Sequence, residues 1–307
     1  MSAPGPAGVR AAATEPEVIV VPTPPDASRV AADRIGAALA AAARERGAAH
    51  WVTTGGSTPG PIYERLAVPP LRDAVPWERV HLWWGDDRWV PPQDILSNAL
   101  ACWNLLLTNV PVPHDQIHVM PVGDALEAGE GPEVVARRYA ATLRSADLEI
   151  DAAGFPRMDV ILVGIGSDGH LFSVFPGSAV WDDPAWVQAV PAPTHIAPRV
   201  ERVTLHPAFL AGARLPIAVV IGAAKAGILA EIFGPTRDAR RLPAQAARRA
   251  GAVWLLDEAA AAQLPAELPV TRIGPTADLA APADPGTPAV PAPSSAPGVP
   301  GIRLVDG

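Results

Sequence analysis

The stretch MDVILVGIG (158–166) decides the fold. Nearly continuous apolar positions run from one charge, Asp159, to a glycine turn. A strand with one wet face alternates apolar and polar residues. An unbroken run suits a parallel strand covered on both faces. Working outward, similar runs recur: EVIVV (17–21), HWVTTGG (50–56), RVHLWW (79–84), QIHVM (116–120), IAVVIG (217–222) and VWLLD (253–257). Segments with helical spacing lie between them. One spans Asp26 to Arg46, with Asp26 or Ser28 as its expected cap and Gly47 as its stop. Others fall near 60–67, at 97–107 capped by Ser97, at 132–148, at 223–233, and over DEAAAAQL (257–264). Strands alternating with helices predict an α/β fold: a doubly wound, mostly parallel, Rossmann-like sheet with helices on both faces.

The chain has 307 residues, enough for one large domain or two small ones. We expect one α/β domain over 17–269. Residues 1–16 read as a flexible Ala/Pro/Gly-rich lead, and 270–307 as a Pro/Ala-rich disordered tail in which Val270–Ile273 can dock. A net charge of -8 argues against non-specific nucleic-acid binding. The N-terminus lacks an apolar core of signal type, and no run of eighteen apolar residues occurs. A cytoplasmic protein off the membrane is expected. The single cysteine, Cys102, excludes an intramolecular disulfide. No HExxH and no Cys/His cluster of metal-ligand spacing is present, so the motifs point to no metal site, and without a GxSxG elbow a Ser–His–Asp triad lacks its sign. The oligomeric state stays open.

Open α/β sheets bind ligands beyond the C-terminal ends of their strands, and four segments lie there. In TTGGSTPG (53–60), Gly55 and Gly56 permit a tight turn, while Ser57 and Thr58 offer hydroxyls and amides to an anion. A plain β-to-α turn explains the segment about as well, and its glycines match neither the P-loop nor the dinucleotide fingerprint. GDDRW (85–89), read as a loop, carries Asp86, Asp87 and Arg88: either a solvated turn, or an arginine facing an anionic oxygen with a carboxylate orienting it or a substrate hydroxyl. Ser97 and Asn98 would complete that rim. GIGSDGHLFSVFPGS (164–178) is the strongest signal. Asp168 and His170 among several glycines, straight after the most buried strand, are poorly explained by packing, and histidine is suited to proton transfer near neutral pH. The last segment brings Arg199, Arg202 and Lys225. A lysine in the first turn of a helix is unfavourable unless an anion compensates. His50 and His81 read as structural, and Trp83, Trp84 and Trp89 as packing.

These pieces occur in a fixed order: GGSTP (55–59), DDRWVP (86–91) with SN (97–98), GIGSDGH with FPGS, RVT (202–204), GAAKAG (222–227) and VWLLDEAAA (253–261). The set resembles the 6-phosphogluconolactonases, in the superfamily that also holds glucosamine-6-phosphate deaminases and isomerases. The resemblance covers roughly 17–262. It implies hydrolysis of a sugar-phosphate lactone without a cofactor, with His170 as general base and Asp168 as its partner. Arg88 or backbone amides would face the oxyanion, and Ser57, Thr58, Arg202 and Lys225 the phosphate. Two departures stand out. Asp86-Asp87-Arg88 replaces the usual Asp-Glu-Arg, and DGHLFSVFPG replaces DGHTASLFPG, placing Leu171 for a threonine and Phe172 for a small residue. The alternatives are a deaminase or isomerase of the same superfamily, a non-catalytic sugar-phosphate binder motivated by Leu171 and Phe172, and a dinucleotide enzyme on a similar sheet. The first is opposed by LFSVFPGS, where deaminases carry Asn-Glu-Pro.

Overall fold

In the computed structural model, which describes residues 15–274, the run at 158–166 forms β6 (Val160–Val163), and every one of its residues is buried. It lies inside an eight-stranded, wholly parallel sheet. The other members are β1 (Glu17–Val21), β2 (Ala49–Thr53), β3 (Val80–Trp84), β5 (Ile117–His118), β9 (Leu215–Val220), β10 (Val253–Asp257) and β11 (Thr271–Arg272). Their spatial order is β11-β1-β10-β9-β6-β2-β3-β5. After β2 the chain builds outward through β3 and β5. From β6 it builds the other way, through β9 and β10. The sheet's switch point therefore lies between β2 and β6, where a crevice opens at the strand C-termini.

Both faces are dry because alternate residues enter different cores. Val18, Val20, Ile161, Val163, Ala218, Val220, Trp254 and Leu256 join one cluster, with Val135, Tyr139 and Leu143 from the helix Pro132–Ser145. Ile19, Val21, Val160, Leu162, Ile217, Val219, Val253 and Leu255 join the other, under Ala27, Ala31, Ile35 and Leu39 of the helix Pro24–Arg46. A large aliphatic side chain buried this way contributes roughly 1.5–3 kcal/mol. Trp83 and Trp84 are fully buried, one in each core.

Several expectations need correction. The first long helix begins at Pro24 and is capped by Thr23, whose hydroxyl accepts from the Asp26 amide, instead of by Asp26 or Ser28. Prolines here start a helix, since their missing N–H groups would have been unpaired anyway. GDDRW is not a loop. Asp86–Arg88 forms β4, in a second, antiparallel sheet of order β4-β8-β7 with β7 (Val187–Val190) and β8 (Arg202–Leu205). DEAAAAQL makes only a 3-10 turn at Ala260–Gln263, with the Asp257 carboxylate accepting from the amides of Gly222 and Ala260. Thr271 and Arg272 pair with Ile19 and Val20, the docking expected of Val270–Ile273, so the packed chain runs past the boundary placed at 269. At the other end, Glu15 is held by Arg248 at 2.8 Å and also pairs with Arg237, so the flexible lead does not extend to residue 16. The remaining expectations for the termini, on 1–14 and 275–307, lie outside the described residues. Among the described residues, no helix is long and apolar enough to cross a membrane.

Candidate active site

A cleft of about 260 Å³ opens at the switch point. The loop after β2 supplies Thr54, Gly55, Gly56, Ser57 and Thr58. The loop after β6 supplies Gly166 and His170, the antiparallel sheet supplies Asp86, Arg88 and Arg202, and Lys225 follows β9. Gly56 has φ +92, which L side chains avoid, and a Cβ on Gly55 would lie 1.9 Å from Asn98 Oδ1. The first loop can therefore take this course only with glycine at both positions.

The loop after β6 turns back on itself. The Gly169 amide donates to the Gly166 carbonyl at 3.1 Å, with Gly169 at φ +80, and the Gly166 amide donates to the His170 carbonyl at 2.9 Å. That turn sets His170 Nδ1 2.6 Å from Asp168 Oδ1. The carboxylate accepts, so Nδ1 carries the proton and Nε2 is left as the basic nitrogen. Burial alone would raise the Asp168 acid. Hydrogen bonds from His170 and from His195 outweigh it and hold the group well below the usual carboxylate range. His195 Nε2 lies 2.7 Å from Asp168 Oδ2.

Arg88 and Arg202 face each other as register partners across β4 and β8. Arg88 Nη1 donates to the Leu96 carbonyl at 2.7 Å and Arg202 Nη2 to the Pro198 carbonyl at 2.8 Å. Each leaves its Nε–H buried without an acceptor. Burial pulls the Arg202 guanidinium below its ordinary range, and neighbouring Arg88 pulls the same way while Asp86 opposes. Lys225 is lowered by burial too, with Asp168 opposing. It stands at the N-cap of the helix Ala226–Ile232, and its ammonium donates to the Ile165 carbonyl at 2.6 Å. Three crowded, desolvated cations with unspent donors suit a multiply charged anion.

The structure brings together Gly55, Gly56, Ser57, Thr58, Asp86, Arg88, His170, Arg202 and Lys225, with Asp168 behind His170. Arg199 does not line the cleft. Neither does Asp87: its Oδ1 accepts from the amides of Asn98 and Arg88, both at 2.8 Å. Burial pushes its acid up to about 6 against those bonds. It braces the β4–helix junction, so the shorter carboxylate meets backbone instead of substrate. Leu171 is fully buried in the core. Phe172 lines the cleft at φ +52, and its ring lies where a Cβ on Gly85 would come within 2.4 Å. Two polar residues escaped the sequence reading. Ser173 Oγ donates to Asp86 Oδ2 at 2.5 Å, and His195 holds Asp168. Ser173 sat inside an apolar run, LFSVF (171–175), and 27 residues separate His195 from its partner, so no local spacing marked either one.

A larger cavity, about 480 Å³, lies at the opposite end of the strands, lined by Arg46, His50, His81, His118, Asp159 and Arg214 among others. His50 stacks on His81, and His118 on Trp83. Arg46 pairs with Asp159 and Glu45, and Arg214 with Asp159 and Glu149, so these cations already have carboxylate partners. Among the described residues, no three His, Cys, Asp or Glu side chains are placed to hold a metal ion.

Residues 22–255 match the family model described as glucosamine-6-phosphate isomerases/6-phosphogluconolactonase. A 6-phosphogluconolactonase of Streptomyces coelicolor is 34% identical over 245 residues, covering 78% of this chain and 92% of that protein. One of Mycobacterium leprae is 37% identical over 229 residues, covering 74% and 88%. The solved 6-phosphogluconolactonase of Trypanosoma brucei superposes with a TM-score of 0.70 at 27% identity, covering 82% of this chain and all of that one. With motifs from both sheets lining one cleft, the chain belongs to the family of glucosamine-6-phosphate isomerases and 6-phosphogluconolactonases.

Proposed function

We propose that this chain is a hydrolase that opens 6-phospho-D-glucono-1,5-lactone to 6-phospho-D-gluconate in the cytoplasm, within the oxidative pentose phosphate route. The observation that carries the reading is the Asp168–His170 pair at 2.6 Å, set on the wall of a cleft lined by Arg88, Arg202 and Lys225. A lactone is an activated acyl group, so it needs a base, an oxyanion partner and little else. His170 Nε2 takes a proton from water as the water oxygen attacks the lactone carbonyl carbon. Asp168 stabilises the imidazolium that forms. Arg88 meets the negative charge that develops on the carbonyl oxygen. As the tetrahedral intermediate collapses, the bond from carbon to the ring oxygen breaks. His170 returns its proton to that oxygen, which becomes a hydroxyl. Ser57, Thr58, Arg202 and Lys225 hold the phosphate, so binding energy remote from the reacting carbon fixes its position.

The test is hydrolysis of freshly generated lactone, with the spontaneous rate subtracted, beside His170→Ala. The wild type turns over well above background, and the variant falls about 100-fold or more. A wild-type rate equal to background, or ammonia release from glucosamine 6-phosphate in its place, would overturn the assignment.

A further inference from the structure

The loop between β7 and β8 carries His195 across to the carboxylate that serves His170. His195 does not line the cleft, and its side chain is 49% exposed. Asp168 Oδ1 accepts twice from His170, from ring Nδ1 at 2.6 Å and from the backbone amide at 3.1 Å. Oδ2 has one described partner, His195 Nε2 at 2.7 Å. Arg202 and Lys225 also act on this carboxylate, but at longer range. The phenyl ring of Phe175 fills the angle between the two imidazoles, with centroids 4.8 Å from His170 and 5.7 Å from His195, and Arg202 lies 5.3 Å over the same ring.

A carboxylate turns easily about its terminal torsion, which has broad wells instead of sharp staggered ones. Bonds to one oxygen alone leave that rotation open. A second bond, to the other oxygen and from a separate loop, closes it. We propose that His195 is a positioning residue for the reaction above: by donating Nε2–H to Asp168 Oδ2 it fixes the carboxylate plane, and so the Nδ1-protonated tautomer and aim of His170. The inference rests on the hydrolase reading for its kinetic arm only. His195 acts through Asp168, makes no contact with substrate, and ties the antiparallel sheet's connecting loop to the loop that holds the base.

The experiment compares His195→Ala and His195→Gln with the wild type in kcat, in KM and in the imidazole 15N signals of His170. The Ala variant loses about tenfold in kcat, as expected when a reacting group loses its orientation, with KM changed less than twofold. Its His170 signals move from one Nδ1-protonated tautomer towards a mixture. The Gln variant, whose amide N–H₂ can still donate to Oδ2, recovers most of both. The proposal is overturned if His195→Ala keeps kcat within twofold and leaves the His170 tautomer unchanged. It is equally overturned if KM rises in step with the loss, which would make His195 a substrate contact. If the wild type hydrolyses no lactone, the functional reading fails, and the 15N comparison alone decides the role of His195.

Discussion

Gly166→Ala places a methyl group where the proposed base, His170, stands. The new Cβ would lie 2.0 Å from His170 Nδ1, 2.2 Å from its Cε1 and 2.6 Å from Asp168 Oδ1. Ordinary contact begins near 3.4 Å, so the imidazole must retreat by about 1.4 Å. That breaks the 2.6 Å bond to Asp168 and moves Nε2 off the line on which the proposed reaction needs it. A misplacement of about 1 Å costs on the order of 100-fold in rate, so kcat should fall about 100-fold. Stability should fall far less, by roughly 1–2 kcal/mol, because the colliding atoms are side-chain ends free to yield and not backbone. KM should stay within about threefold, since the cations of the cleft are untouched. The assay is steady-state hydrolysis of fresh lactone beside a urea titration of the same protein. A soluble, folded Gly166→Ala variant with kcat within about threefold of wild type would refute the placement of His170 at the reacting centre.

Three further outcomes follow from the packing. Gly85→Ala should cost about 1–3 kcal/mol, because its Cβ would meet the Phe172 ring at 2.4 Å. Adding Phe172→Ala should relieve part of that collision, and simple additivity of the two losses in denaturant titrations would show that the residues are not coupled. Burial holds His50 down to about 3 and His118 to about 4, each helped by the charge of His81. The unfolded chain therefore binds the extra protons first, so stability is lost as pH falls below 6.5 towards those values. After discounting for partial exposure and coupling, the loss is on the order of 3 kcal/mol between pH 6.5 and 4.5. His50→Gln should flatten the urea-midpoint slope in that window, and an unchanged slope would count against the cluster. Asp87, raised to about 6, works in the opposite sense: its stabilising protonated form is present below pH 3.8 and lost as pH rises through 6. Asp87→Asn keeps an acceptor for the Asn98 and Arg88 amides, so stability at pH 7 should hold or rise by about 1 kcal/mol, with the gap to wild type closing below pH 4. A loss of more than about 1 kcal/mol at pH 7 would refute this account.

The parallel sheet was legible in the sequence because each of its long strands is buried on both faces. Unbroken runs such as Val160–Val163 have no other economical explanation. The antiparallel sheet was not, since β4 and β8 are short and carry charges at positions where charge usually signals loop. Only their pairing, with Asp86 opposite Thr204, makes Asp86–Arg88 a strand. The same reason divides the site. His170 and Asp168 were visible because glycines crowd around them, whereas Asp87 was read as substrate-facing from its neighbours Asp86 and Arg88. A strand sends successive side chains to opposite faces, and Asp87, lying between two cleft residues, turns away from the cleft. Ser173 and His195 make only long-range contacts, at separations of 87 and 27 residues, and no local pattern carries such information.

The pairing of Arg88 with Arg202 across β4 and β8 has a consequence for how such a site can change over time. The spacing of the two guanidinium stems is set by a hydrogen-bonded ladder, while the imidazole rides on a glycine-rich bend from the other sheet. The arginine pair and the imidazole thus stand on separate mechanical supports, whereas Ser57, Thr58 and Lys225 share the parallel sheet with the imidazole. Under the proposed function, drift in the bend would remove the base while leaving both guanidiniums in place, and drift in the ladder would change the charge that meets the substrate without rebuilding the Asp168–His170 pair.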